Sequence, residues 1–222
     1  MREREQQIEL AVFLFLVGPT LLLSFAHGGQ VQLSFPLLAI SVIARDLSLV
    51  ALVLFFLWRN GEPRLRIGWT LAGTGREIGL GVLLFVPLQV GAALLERALS
   101  QLGLTTPAHL PANLHPAGAS QVALALLLVL VVAVAEETIF RGYLLLRLRS
   151  LTANSALVVA SSSVLFAIGH GYEGSAGVVT VGALGAAFAL VYLWRRSLVA
   201  PVTLHFLVDF VGLLLAPAVG HG

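Results

Sequence analysis

Cysteine and lysine are both absent from the chain, methionine occurs once, and charged residues make up only 11% of it. The missing cysteines exclude disulfides, thiolate metal ligands and a cysteine nucleophile together. Without lysine, all thirteen basic residues are arginine, and they flank apolar runs rather than forming a polybasic surface, so no nucleic-acid partner is expected. Arginine-only usage also points to a GC-rich prokaryotic genome. Soluble domains carry about 25% charged residues, whereas this chain is 58% apolar, so its solvent is lipid. The ~10-residue alternating segments of a membrane barrel are missing too, and the apolar runs are about 20 residues long. Helices satisfy their own backbone in a bilayer. The expected fold is therefore all-α: a polytopic transmembrane helical bundle, one integral membrane domain over residues 1–222, in a prokaryotic plasma membrane.

At about 20 residues per span, the hydrophobic runs mark seven spans: Ile8 to Ala26, Pro36 to Trp58, Ile78 to Leu99, Gln121 to Arg149, Ala156 to His170, Ala176 to Trp194 and Leu198 to Pro217. The first run is too long for the apolar core of a signal peptide and no small-residue cleavage pattern follows it, so it reads as a span. Arginine placement agrees with the count. Arg2, Arg4, Arg59, Arg64, Arg66, Arg76, Arg147, Arg149, Arg195 and Arg196 all fall on one side, which the positive-inside rule makes cytoplasmic together with the N-terminus. The opposite loops, around His27 to Phe35, Gly103 to Ser120 and Gly171 to Ser175, contain no arginine. His109 and His115 in the proline-containing loop Gly103 to Ser120 are a conceivable metal pair, but exposed loop histidines are usually just solvated. No internal repeat is evident, which argues against an inverted-repeat transporter.

An ionisable side chain deep in a span costs a few kcal/mol on insertion scales, so each needs a partner, a wet cavity or a chemical role. They cluster late in this chain: Glu136, Glu137 and Arg141 in the fourth span, His170 at the end of the fifth, His205 and Asp209 in the seventh. Counting 1.5 Å per residue from the cytoplasmic ends places these groups about 14 to 27 Å deep, a spread that tilt and kinks absorb. One site on three helices is the economical reading, within a motif-bearing core of about residues 121–217. Arg45 with Asp46, and Glu96 with Arg97, read instead as structural pairs. Residues four apart share a helix face, which pairs Glu137 with Arg141, Phe166 with His170, and His205 with Asp209. Glu136 and Glu137 point about 100° apart. One carboxylate can then turn to the arginine while the other faces a cavity as a general base on water. Glu136 is the candidate base, His170 and His205 are candidate donors to an oxyanion, and Asp209 is a candidate to orient His205.

These residues are also familiar as a set. Glu136, Glu137 and Arg141 in AEETIFRGYL resemble the EExxxR signature of the CAAX-protease and bacteriocin-processing family of intramembrane peptidases. Phe166 to His170 resembles its FxxxH, and His205 to Asp209 its HxxxN-type motif, all in family order between about Leu124 and Phe210. The resemblance implies a helical core around a cavity and hydrolysis of a peptide bond by glutamate-activated water. It assigns Glu136 as base, Glu137 with Arg141 as its support, and His170 and His205 to water or the oxyanion, with Phe166 beside the substrate. Asp209 departs from the asparagine typical of prenyl-protein peptidases, and an ionised aspartate cannot donate to an oxyanion.

The expected partners are the lipid bilayer and a membrane-associated or lipid-modified peptide or protein, and no cofactor is expected. Three alternatives stay open on sequence. Two histidines and two glutamates are ligand types for a zinc-dependent version of the same hydrolysis, although HExxH is absent. The same groups would suit a proton or ion path in a transporter. A non-enzymatic membrane scaffold or immunity factor would retain the motifs without the chemistry.

Overall fold

The structure is a computed structural model, and it describes residues 3–24, 34–70, 72–105 and 115–215. The loop around His27, the loop residue His109 and the tail after Pro217 lie outside the described residues. Seven principal helices and no strand are present among the described residues. They are α1 (Glu3–Leu23), α2 (Phe35–Arg59), α3 (Thr74–Gln101), α4, α5 (Ser155–Ile168), α6 (Gly174–Arg195) and α7 (Val199–Phe210). The fourth, α4, runs Gly118–Glu136, widens to a π-helix over Glu137–Leu144, and ends in one α-helical turn, Leu145–Leu148. A π-helical turn, Val211–Leu215, also extends α7.

Five of these helices are long and apolar enough to cross a membrane, which makes the chain an integral membrane protein. The other two, Ser155–Ile168 and Val199–Leu215, are shorter. At 1.5 Å per residue, the 14 residues of α5 cover about 21 Å, less than the ~30 Å hydrocarbon core. The sequence reading ended this helix at His170, but the structure ends it at Ile168 and places His170 in the turn leading to the 3₁₀ segment Gly171–Glu173. Large apolar side chains stand exposed along α3, among them Val82, Leu83, Val86, Val90 and Leu94. In lipid that exposure costs nothing.

The helices meet through apolar faces and a few buried charges. Phe35 and Ala39 of α2 pack on Ala125 and Leu128 of α4. One helical stretch further on, Phe13 of α1 and Phe56 of α2 close on Tyr143, with ring centroids 4.9 and 6.1 Å away. Where α3 crosses α7, a Cβ on Gly81 would stand 2.6 Å from Thr203 Cβ. Only glycine permits that approach, as small residues do at membrane helix crossings.

Glu9 binds four partners at once. Its carboxylate accepts from Tyr143 Oη at 2.8 Å, Arg147 Nε at 2.8 Å, Arg59 Nη2 at 2.8 Å and Asn60 Nδ2 at 2.7 Å. Arg147 also donates to both oxygens of Glu62, at 3.2 and 2.6 Å. This buried network ties α1, the segment after α2, and the end of α4. Arg195 of α6 likewise holds Glu77 of α3 at 2.6 Å. The positive residues that the sequence reading treated as flanking charge are thus, in Arg147 and Arg195, structural ties.

Candidate active site

The chemistry-bearing residues sit where α4 departs from regular α-helix. A π-helical stretch leaves the i→i−4 ladder for i→i−5 bonds, a distortion common at functional sites. Here it spans Glu137–Leu144, and all eight of its residues are buried. Ser162 of α5 donates from Oγ to the Phe140 carbonyl at 3.0 Å, so a neighbouring helix satisfies part of the rearranged backbone.

Glu137 and Arg141 form the expected pair: Arg141 Nη1 donates to Glu137 Oε1 at 2.7 Å, with the side chains 1% and 0% exposed. Arg141 Nη2 donates to the Gly185 carbonyl of α6 at 3.3 Å. The guanidinium carbon lies 4.2 Å over the Phe166 ring and 5.4 Å from Phe188. These contacts fill most of its surroundings. Gly185 is required here, because a Cβ on it would stand 3.0 Å from Phe166 Cδ1 and 3.2 Å from Arg141 Nη2.

His205 completes the cluster from α7. Its Nδ1 lies 2.8 Å from Glu137 Oε1, the oxygen that also receives Arg141. A carboxylate paired with arginine accepts, so Nδ1 carries the proton and donates. Its other nitrogen, Nε2, then faces Glu136 Oε2 at 3.7 Å and Asp209 Oδ2 at 3.5 Å. Proximity to Asp209 is as the i,i+4 spacing required, but the short hydrogen bond that orients the ring comes from Glu137. Rings of Phe166 and Phe188 flank the imidazole at 5.9 and 5.8 Å.

His170 reaches the same region from the turn after α5. Its Nδ1 is 2.9 Å from the Phe166 carbonyl, which can only accept, so Nδ1 donates and the neutral ring keeps Nε2 as an acceptor. Ser24 pins this turn by donating to the Ile168 carbonyl at 2.6 Å and accepting from Gly171 N at 3.1 Å. Phe166 is 3% exposed and packs 4.7 Å from the His170 ring. It forms a floor joining Arg141, His170 and His205.

A cavity of about 260 Å³ opens over this floor, bounded by Phe166, His170, His205 and Asp209, with Glu96 and Gln89 reaching it from α3. The structure therefore brings six of the seven sequence candidates into contact or onto one cavity wall. The seventh, Glu136, adjoins them through His205. Glu96, read from sequence as a structural group at a span end, stands on the cavity wall, and so does Glu173. Asp46, also read as structural, does pair with Arg45 at 2.8 Å but is itself 2% exposed, inside the bundle. Gly185 was missed as well. Its signal was the run of glycines in α6, whose meaning depends on which helix lies against them. A second cavity of about 440 Å³ lies around Glu9, Phe56 and Arg59, but Glu9 and Arg59 are already spent on each other there.

Among the described residues no three histidine, aspartate or glutamate side chains converge on a common point for a metal. Arg141 and His205 together occupy the inner oxygen of Glu137. His115 of the loop pair is described and joins no such group, while its partner His109 lies outside the described residues.

Residues 118–211 match the family model described as type II CAAX prenyl endopeptidase Rce1-like. This segment contains every candidate site residue. Comparison with curated proteins and with solved structures gives no match.

Proposed function

Residues 118–211 form a domain of the CAAX-protease family of membrane peptidases, and from that premise we propose that the protein hydrolyses a peptide bond in a membrane-associated or lipid-modified substrate, using water activated by Glu136. The observation that carries this reading is the shared oxygen of Glu137. By binding Arg141 and His205 Nδ1 at once, it fixes the imidazole so that Nε2 points toward Glu136 and Asp209.

The reaction then proceeds in two proton movements. Glu136 takes a proton from water as the water oxygen bonds to the scissile carbonyl carbon, and the carbonyl oxygen gains the negative charge. His205, in its imidazolium form, donates from Nε2 to that oxygen, the kind of preorganised stabilisation that dominates acyl-transfer catalysis. Collapse of the intermediate breaks the C–N bond, and Glu136 returns its proton to the departing nitrogen. His170, with Nε2 as an acceptor, holds the attacking water against Glu136. Asp209 balances the imidazolium charge, because an ionised carboxylate has no proton to give the oxyanion. Glu137 and Arg141 are positioning residues. Phe166 supplies the apolar floor against which the substrate backbone lies.

Of the two roles that the resemblance allows His170, water or the oxyanion, the Phe166 carbonyl on Nδ1 supports the first. The donor set supports hydrolysis without a metal, since arginine beside the paired glutamate takes the place a cation would need. The test is cleavage, read by mass spectrometry, of a pool of hydrophobic peptides with and without lipid modification by the purified protein. A product formed by wild type and lost in Glu136→Ala supports the proposal. Equal cleavage by both proteins contradicts it, and ion flux lost with Glu136 in a cleavage-inactive protein would favour the transporter.

A further inference from the structure

A carboxylate on α2 faces the proposed base from outside the three motifs. The register of two helices places it there. Both α2 and α4 contribute to one apolar interface, in which Phe35 and Ala39 meet Ala125 and Leu128, with Ile43 and Val132 packed against them. Advancing one turn along each helix, three to four residues, brings Asp46 and Glu136 to the same level. Beyond that level the two helices are still paired, since Phe56 stacks on Tyr143 with centroids 6.1 Å apart. Contacts above and below thus bracket Asp46 opposite Glu136.

The local chemistry agrees with the register. Asp46 is 2% exposed. Both bonds from Arg45, Nε and Nη2 at 2.8 Å, fall on Oδ1, while Oδ2 is buried without a hydrogen-bond partner. Glu136 Oε2 is also buried and makes no hydrogen bond, with His205 Nε2 standing 3.7 Å from it. Glu136 is among the charged groups close enough to act on Asp46, together with Arg45 and His205. A side chain present only to neutralise Arg45 would have no need of this position, because Arg45 itself is 44% exposed.

We propose that Asp46 is a positioning residue for the hydrolysis, its buried carboxylate facing Glu136 across the α2–α4 interface and supporting it as the proton acceptor. This inference rests on the reading of Glu136 as the base. A fixed negative charge close to a carboxylate favours the form that has accepted a proton, so proton transfer from water to Glu136 becomes easier. The effect belongs to the chemical step and not to substrate affinity. Asp46 touches neither water nor substrate in this scheme, and its pair with Arg45 holds the second oxygen still.

The test compares kcat and KM of Asp46→Asn, Asp46→Glu, Arg45→Gln and Glu136→Gln with wild type on one cleavable peptide, each normalised to folded protein by its thermal transition. The expected result is a fall in kcat of about tenfold or more for Asp46→Asn, with KM within about twofold. Asp46→Glu recovers part of that loss, and Arg45→Gln stays within about threefold of wild type. Wild-type kcat in folded Asp46→Asn overturns the proposal. So does an equal loss in Arg45→Gln, which would reduce Asp46 to half of an ion pair. Activity retained by Glu136→Gln would instead overturn the assignment of the base, a result separable from either outcome for Asp46.

Discussion

Glu137 and His205 lie 68 residues apart in sequence and share a 2.8 Å hydrogen bond in the middle of the bundle. The same glutamate oxygen receives Arg141 at 2.7 Å. One carboxylate therefore neutralises a fully buried guanidinium and orients the imidazole that faces the cavity. Glu137→Gln removes the charge while keeping the shape. Because it leaves the Arg141 guanidinium buried without its counter-charge, a stability loss of about 3 to 5 kcal/mol is expected. In the protein that remains folded, kcat falls on the order of a hundredfold as the bond that orients His205 loses its charge and weakens. Thermal unfolding in detergent and steady-state cleavage check the two effects separately. Wild-type activity in the folded variant would show that the ring is held by something else.

Gly185 offers a steric test of the same cluster. In Gly185→Ala the new Cβ meets Phe166 Cδ1 at 3.0 Å and Arg141 Nη2 at 3.2 Å, so the aromatic floor or the guanidinium must shift. A loss of about 1 to 3 kcal/mol from overpacking is expected, with kcat reduced roughly tenfold or more because a misplacement near 1 Å can cost about a hundredfold. Gly182→Ala on the same helix meets only Ala167 Cβ at an ordinary 3.4 Å and serves as the control. Equal behaviour of the two variants would remove Gly185 from the account.

The Glu9 network predicts stability without catalysis. Glu9→Gln leaves Arg147, 2% exposed, with one carboxylate partner where it had two, and Arg59 with none in that network. A destabilisation of about 3 kcal/mol is expected, read as a lowered thermal midpoint, while kcat per folded molecule stays within about twofold of wild type. A variant with an unchanged midpoint would contradict the structural role given to this cluster.

Much of this was readable in the chain before any coordinates. Apolar run length and arginine placement marked all seven helices, because the bilayer imposes both on sequence directly. The spacing of Glu137 and Arg141 and of His205 and Asp209 gave the pairs within helices, because residues four apart must be neighbours there. Relations between helices were not legible in the same way. Nothing local distinguishes Asp46, which faces Glu136, from a surface aspartate beside an arginine, and nothing local shows Glu9 reaching Arg147 at 2.8 Å. The helix end at Ile168 was misjudged by two residues because a terminal residue is set by how the last turn is capped, which composition does not show. The widening of α4 at Glu137 was also invisible, since π-helical turns arise from tertiary packing more than from residue type.

The central claim is that Glu136 activates water without a metal, and it is tested most directly by single-turnover cleavage of one defined peptide by wild type and Glu136→Gln, each with and without a strong chelator. The account predicts a wild-type rate unchanged by the chelator and a rate at least about a hundredfold lower in Glu136→Gln, with that protein still folded. A wild-type rate abolished by the chelator and restored by zinc, or a Glu136→Gln rate equal to wild type, would contradict it.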